Sequence, residues 1–194
     1  AHNSLGAALK AQGQFDDAIV AYRAAIALKR DYVAAHSNLA LALRAQEKWA
    51  EAIAASEAAL ALDPRHAPTL LNLGTILEAQ GKLDEAAAIY RRLLAHDPNH
   101  AGAHTNLGVV LQTQDRLDDA VAAYQRALAL DPQHVEAHTN LGTALQAQND
   151  LPAAIACYER ALALNPALGQ ARFNLGVAQL AAGDFRAGWA NYEA

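Results

Sequence analysis

The sequence predicts an all-α solenoid of stacked antiparallel helix pairs, and three observations predict it. The first is a short motif that returns every 34 residues: Asn38-Leu39-Ala40, Asn72-Leu73-Gly74, Asn106-Leu107-Gly108, Asn140-Leu141-Gly142 and Asn174-Leu175-Gly176, with Ser4-Leu5-Gly6 at the head of the series. A fixed period of about 20–50 residues marks supersecondary units that bury their apolar faces against one another. The second is that apolar residues recur at helical spacing twice within each period. In one copy these are Leu107, Val110 and Leu111, then Ala120, Tyr124, Ala127 and Leu128. The third is punctuation: a turn column between the two stretches and a proline column after the second.

The elements follow in order. A first copy occupies residues 1–32, full copies occupy 33–66, 67–100, 101–134 and 135–168, and a partial sixth runs over 169–194, so that 1–194 reads as a single array. In the copy 101–134 the first helix is expected over about 101–114 and the second over about 118–130. The turn column is Gly13, Glu47, Gly81, Asp115, Asn149 and Gly183. All but Glu47 are types that tolerate the left-handed backbone a helix C-terminus often needs. The proline column is Pro64, Pro98, Pro132 and Pro166, with Arg30 in the first copy. Proline cannot continue a helix. Acids open the second helices (Asp16 and Asp17, Glu51, Asp84 and Glu85, Asp118 and Asp119) and Arg92, Arg126 and Arg160 come later, as the helix dipole favours.

Composition narrows the function classes. About a quarter of the chain is alanine, which suits close helix approach and high helix propensity. The net charge is −5, so no basic field exists to hold a phosphate backbone, and nucleic acid is not an expected partner. Cys157 is the only cysteine; a reducing compartment, the cytoplasm, is expected. No apolar run approaches the length of a membrane span. The chain begins at Ala1 and contains no methionine, so a piece of a longer protein is expected.

Leu107-Gly108, Leu111, Ala120, Tyr124, Ala127 and Pro132 stand at the offsets of the tetratricopeptide repeat, and the whole chain resembles that family. Ser56 departs from the tyrosine found at Tyr22, Tyr90, Tyr124, Tyr158 and Tyr192, and Trp49, seven residues earlier on the same helical face, is expected to fill part of the lost volume. The resemblance implies a right-handed superhelix with first helices on its concave side. The asparagine column is most similar to that of the repeat region of O-linked N-acetylglucosamine transferase-like bacterial proteins, where such a ladder holds the backbone of extended peptides. The stretch Gly183-Asp184-Phe185 through Gly188-Trp189 to Tyr192-Glu193 is similar to junctions between such repeats and a glycosyltransferase domain, so the parent protein is a possible glycosyltransferase.

Read from the residues themselves, an asparagine side chain offers one acceptor and two donors, the complement of a peptide group. The candidate peptide-binding set is therefore Asn38, Asn72, Asn106, Asn140 and Asn174, flanked by Arg44, Glu78, Thr105 and Thr139. The rival reading is that these amides bond a neighbouring repeat. Eight histidines raise a metal site, since His96, His100 and His104, and His134 and His138, are spaced by four. Two of them fall at repeat junctions and no carboxylate or cysteine completes a set, so no metal and no cofactor is expected. No nucleophile–base arrangement and no phosphate loop exists, so the chain is not expected to be an enzyme. Phe185, Trp189 and Tyr192 lie on one face of the last helix, where weak self-association is expected. The expected function is a protein–protein interaction module that binds extended polypeptide, with a self-assembly scaffold or a substrate-presenting region of a larger glycosyltransferase as alternatives.

Overall fold

A computed structural model describes residues 1–193. Among them the secondary structure is wholly helical, in pairs: α1 (His2–Ala11) with α2 (Phe15–Leu28), α3 (Val33–Ala45) with α4 (Trp49–Leu62), α5 (Ala67–Ala79) with α6 (Leu83–His96), α7 (Ala101–Thr113) with α8 (Leu117–Leu130), α9 (Val135–Ala147) with α10 (Leu151–Leu164), and α11 (Gly169–Ala181) with α12 (Phe185–Tyr192). The architecture is an all-α solenoid of antiparallel helix pairs.

The turn column behaves alike in every copy. Gly13, Gly81 and Gly183 have φ of 75°, 72° and 87°, and Glu47, Asp115 and Asn149 have 57°, 59° and 63°. Each turn closes the preceding helix by the same reach of five residues, as in Lys48 N–H to the Leu43 carbonyl (3.0 Å) and Arg116 N–H to that of Leu111 (2.9 Å). That closure satisfies carbonyls the helix end would leave open. Glu47 takes the left-handed backbone despite its side chain, at a cost of about 1 kcal/mol.

The glycine of each Leu-Gly motif is fixed by a ring. A methyl at Gly6 or Gly142 would come within 2.6 Å of Cε1 of Tyr22 or Tyr158, and one at Gly108 within 2.5 Å of Tyr124. The same overlap exists between Gly74 and Tyr90. First and second helix therefore approach through glycine so that a tyrosine can lie flat in the gap, fully buried. The second copy changes both positions: Ala40 stands where the others have glycine and Ser56 where they have tyrosine, and the Ser56 hydroxyl turns back to the Ala52 carbonyl at 2.9 Å. Trp49 does pack against that copy's core, partly buried. The sixth copy departs differently. A methyl at Gly176 would strike the backbone of Tyr192 and Gly188 rather than a ring, so α12 runs closer to α11 and the Tyr192 ring is displaced outward. Tyr192 thus leaves the buried tyrosine column in which its spacing places it.

The chain divides into two compact units, Ala1–Pro98 and Asn99–Ala194, each of three helix pairs. In the first unit α1, α3 and α5 approach one another side by side, whereas α2, α4 and α6 show no such backbone approach. In the second unit α7, α9 and α11 do the same, and α8, α10 and α12 do not. Each unit, taken alone, therefore bends towards its first helices.

Candidate functional site

The asparagine column lies on the first helices, half-buried throughout, but its members differ in what they touch. In the first unit Asn38 Nδ2 donates to Asn3 Oδ1 at 3.1 Å, and Asn3 Nδ2 in turn reaches the Tyr32 hydroxyl at 3.3 Å. This is an amide-to-amide bond between neighbouring repeats. The Asn72 side chain has no hydrogen bond within the protein among the described residues; only its backbone carbonyl is engaged, by Thr75 Oγ1 at 2.8 Å. In the second unit the Asn140 side chain is likewise without a hydrogen bond, and Asn106 is engaged by other residues. Asn174 takes Gln170 Nε2 on its Oδ1 at 2.8 Å and contacts the Tyr158 hydroxyl. The column is therefore mixed: some rungs are tied to the stack, while Asn72 and Asn140 keep donors and acceptor open.

The flanking residues are placed unequally. Arg44 Nη1 donates to Thr75 Oγ1 on the next first helix at 2.6 Å, and Glu78 Oε2 accepts the Tyr90 hydroxyl at 3.3 Å. Both remain half-exposed. Thr105 and Thr139 require a correction, being 1 % and 9 % exposed, with hydroxyls returned to the Ala101 and Val135 carbonyls at 3.1 and 3.0 Å. A β-branched hydroxyl one turn from its carbonyl prefers that local bond, and neither presents a contact to an incoming chain.

A second column, twelve residues before each tyrosine, escaped notice as a partner of the core. Tyr124 Oη donates to Gln112 Oε1 at 3.0 Å and Tyr158 Oη to Gln146 Oε1 at 2.9 Å. Where that position is Lys10, the Tyr22 hydroxyl is buried without an acceptor, and burial raises its pKa above the ordinary tyrosine value. Burial likewise raises the Tyr158 pKa, with the Thr143 and Asn174 contacts acting in the opposite direction. The signal was present in the sequence: Glu78, Gln112 and Gln146 precede tyrosines by the same interval. Around Tyr158 an open pocket of 340 Å³ is lined by Thr143, Gln146, Ala147, Tyr158 and Asn174.

Four of the histidines bond the backbone. His100 Nδ1 accepts from Ala103 N–H at 3.1 Å and His134 Nδ1 from Ala137 N–H at 3.3 Å, capping α7 and α9. His36 and His138 Nε2 lie 3.0 Å from the carbonyls of Arg30 and Pro132, clamping the turn into the following helix. Arg172 makes the same reach to Pro166 at 2.6 Å. Cys157 is half-buried and its thiol pKa is raised by burial and by Asp150, the opposite of an activated nucleophile.

At the last helix pair the Phe173 and Tyr192 rings lie 5.1 Å apart and Trp189 stands edge-on to Tyr192 at 5.7 Å. Phe185, Trp189 and Tyr192 are 64 %, 51 % and 44 % exposed. Among the described residues no helix is long and apolar enough to cross a membrane.

Comparison with known proteins adds the family. Profiles described as tetratricopeptide repeat match residues 31–99, 71–135, 135–168 and 169–188, and one described as TPR repeat matches residues 6–43. No curated protein sequence matches. Among solved structures, PilF of Pseudomonas aeruginosa superposes with a TM-score of 0.88 at 19% identity, covering 98% of this chain and 86% of that one. MamA gives 0.72 at 26% identity, covering 78% and 88%. YrrB, described as a TPR protein with an unusual peptide-binding site, gives 0.70 at 20% identity, covering 95% and 91%. The matched repeats run without a break from residue 6 to residue 188, and the chain belongs to the tetratricopeptide-repeat family.

Proposed function

We propose that this module binds extended polypeptide along the first-helix face of each unit, chiefly through side-chain amides that read the backbone. The observation that carries the reading is the state of the Asn72 and Asn140 side chains: half-exposed, on the inward-bending side, and without a hydrogen bond among the described residues. Such an amide matches both groups of a peptide bond. Arg44 and Glu78 flank the first unit's rungs and supply charge selectivity; Thr105 and Thr139, being buried, drop out. Each net hydrogen bond contributes about 0.5–1.5 kcal/mol, and ordering a flexible chain offsets several of them. Binding in the micromolar range or weaker follows.

Replacing Asn72, Asn106 and Asn140 together with alanine should leave the helical circular dichroism intact and weaken binding of extended peptides by about 1.5–4.5 kcal/mol. Calorimetric titration and thermal melting on the same variant decide the matter. Early melting with undiminished affinity in the folded fraction would make the ladder a device of the stack alone.

A second reading, weak self-association, is favoured by the exposed Phe173, Trp189 and Tyr192 cluster. Trp189→Ala should then lower the weight-average mass in sedimentation at high concentration. An unchanged sedimentation profile removes this reading.

A further inference from the structure

We infer that Gln112 and Gln146 make the second unit a reader of carbonyl oxygens, fitted to a proline-rich segment in the polyproline II conformation. The inference rests on the peptide-binding reading and specifies its ligand.

The argument starts at the phenols. Tyr158 is buried and its ring cannot move. Asn174 Oδ1 already holds Gln170, so Asn174 meets the Tyr158 hydroxyl with its N–H. The hydroxyl proton then goes to Gln146 Oε1 at 2.9 Å, with Thr143 Oγ1 farther away at 3.3 Å. Tyr124 holds Gln112 Oε1 in the same way at 3.0 Å. Each glutamine amide is thereby pinned with its oxygen turned inward. Its Nε2, carrying two N–H groups, has no hydrogen bond within the protein among the described residues. Gln146 borders the open pocket beside Thr143 and Ala147. A free glutamine can turn either end to a ligand; these two present donors alone. Glu78, at the equivalent position of the first unit, also engages its tyrosine through oxygen but carries no N–H. Lys10 and Arg44, at the equivalent positions of the first two copies, are charged donors, so a neutral donor pair held by tyrosines belongs to the second unit.

A donor-only pair is matched by a strand rich in unpaired acceptors. Polyproline II has no internal hydrogen bonds, so its carbonyls are open, and prolyl residues bring no N–H that would be left unsatisfied in the groove. The period also fits. Neighbouring packed helices lie about 8–10 Å apart, and α7 and α9 are such neighbours. Three residues of polyproline II complete one turn in about 9 Å, so every third carbonyl returns to the same side at the spacing of the repeats. A β-strand, with a period of two, turns every third carbonyl to the opposite side.

The test titrates a capped decaproline peptide, and a capped proline-free Ser/Gln/Thr peptide of equal length, into the protein and into the double variant Gln112→Glu, Gln146→Glu. Glutamate keeps an oxygen for each tyrosine hydroxyl and removes both N–H donors, and the Glu78–Tyr90 pair shows that the fold accommodates it; thermal melting checks this. Decaproline is expected to bind the parent at least as tightly as the control, and to bind the double variant at least tenfold more weakly. Binding of the control without decaproline overturns the carbonyl-reading inference and leaves the peptide-binding reading standing. Decaproline binding that the double variant does not change overturns the role of the glutamines. If neither peptide binds the parent, the peptide-binding reading falls with it.

Discussion

Gly108→Ala should lower stability by about 1–3 kcal/mol, the usual range for overpacking a filled core. This runs against local preference, because alanine is the better helix former by about 1 kcal/mol. The ring decides the sign: the new methyl would stand 2.5 Å from Tyr124 Cε1, and Tyr124 is fully buried with no room to withdraw. Tyr124→Ser alone should cost about 3–5 kcal/mol, as large aromatic truncations do. In that background Gly108→Ala should reverse sign and stabilise by up to about 1 kcal/mol, since the methyl now enters a void and the helix gains. Chemical denaturation of the four proteins in the cycle measures the coupling. Additive effects would mean that glycine and tyrosine do not act as a pair.

Leu107→Ala should cost about 2–5 kcal/mol and should also change the shape of the unfolding curve. Leu107 is 8 % exposed, on a helix whose neighbours Val110 and Leu111 are buried beside it. Stability in a repeat array is close to a sum of repeat and nearest-neighbour terms. A weakened copy in the second unit should therefore let the first unit, Ala1–Pro98, melt at nearly its own temperature while the second melts earlier. Tryptophan fluorescence separates them, because Trp49 reports on the first unit and Trp189 on the second. Coincident, equally shifted transitions of the two tryptophans would contradict this picture.

Much of the fold was legible because every copy repeats its own evidence. The turn column could be read from five permissive residues, and even Glu47 adopts the left-handed backbone because the flanking helices impose it. Helix bounds came within a residue: α7 ends at Thr113 and α8 begins at Leu117. The site was harder to read because side-chain partners cross between helices. Spacing placed Thr105 beside Asn106 on the helix surface but could not show that it would be buried, with its hydroxyl on the Ala101 carbonyl. The histidines at intervals of four suggested a shared ligand, whereas the nitrogens of His100, His134 and His138 face backbone groups at the repeat junctions. Ser56 was visible as a departure, yet only the structure shows why a glycine sixteen residues before each tyrosine matters, and Ala40 stands at that position before Ser56.

That pair bears on how a chain of near-copies finds its own partners. Every first helix here resembles every other, so a nascent chain risks closing a hairpin between the wrong repeats or exchanging one with a second molecule. The four copies whose glycine meets a tyrosine ring are interchangeable at this contact. α3 is not: the Ala40 methyl would collide with the tyrosine of α2, α6, α8 or α10. α4, carrying Ser56, would leave a hole against any glycine-bearing first helix. The second pair is thus keyed to itself, and its correct closure fixes the phase of the helices on either side during folding.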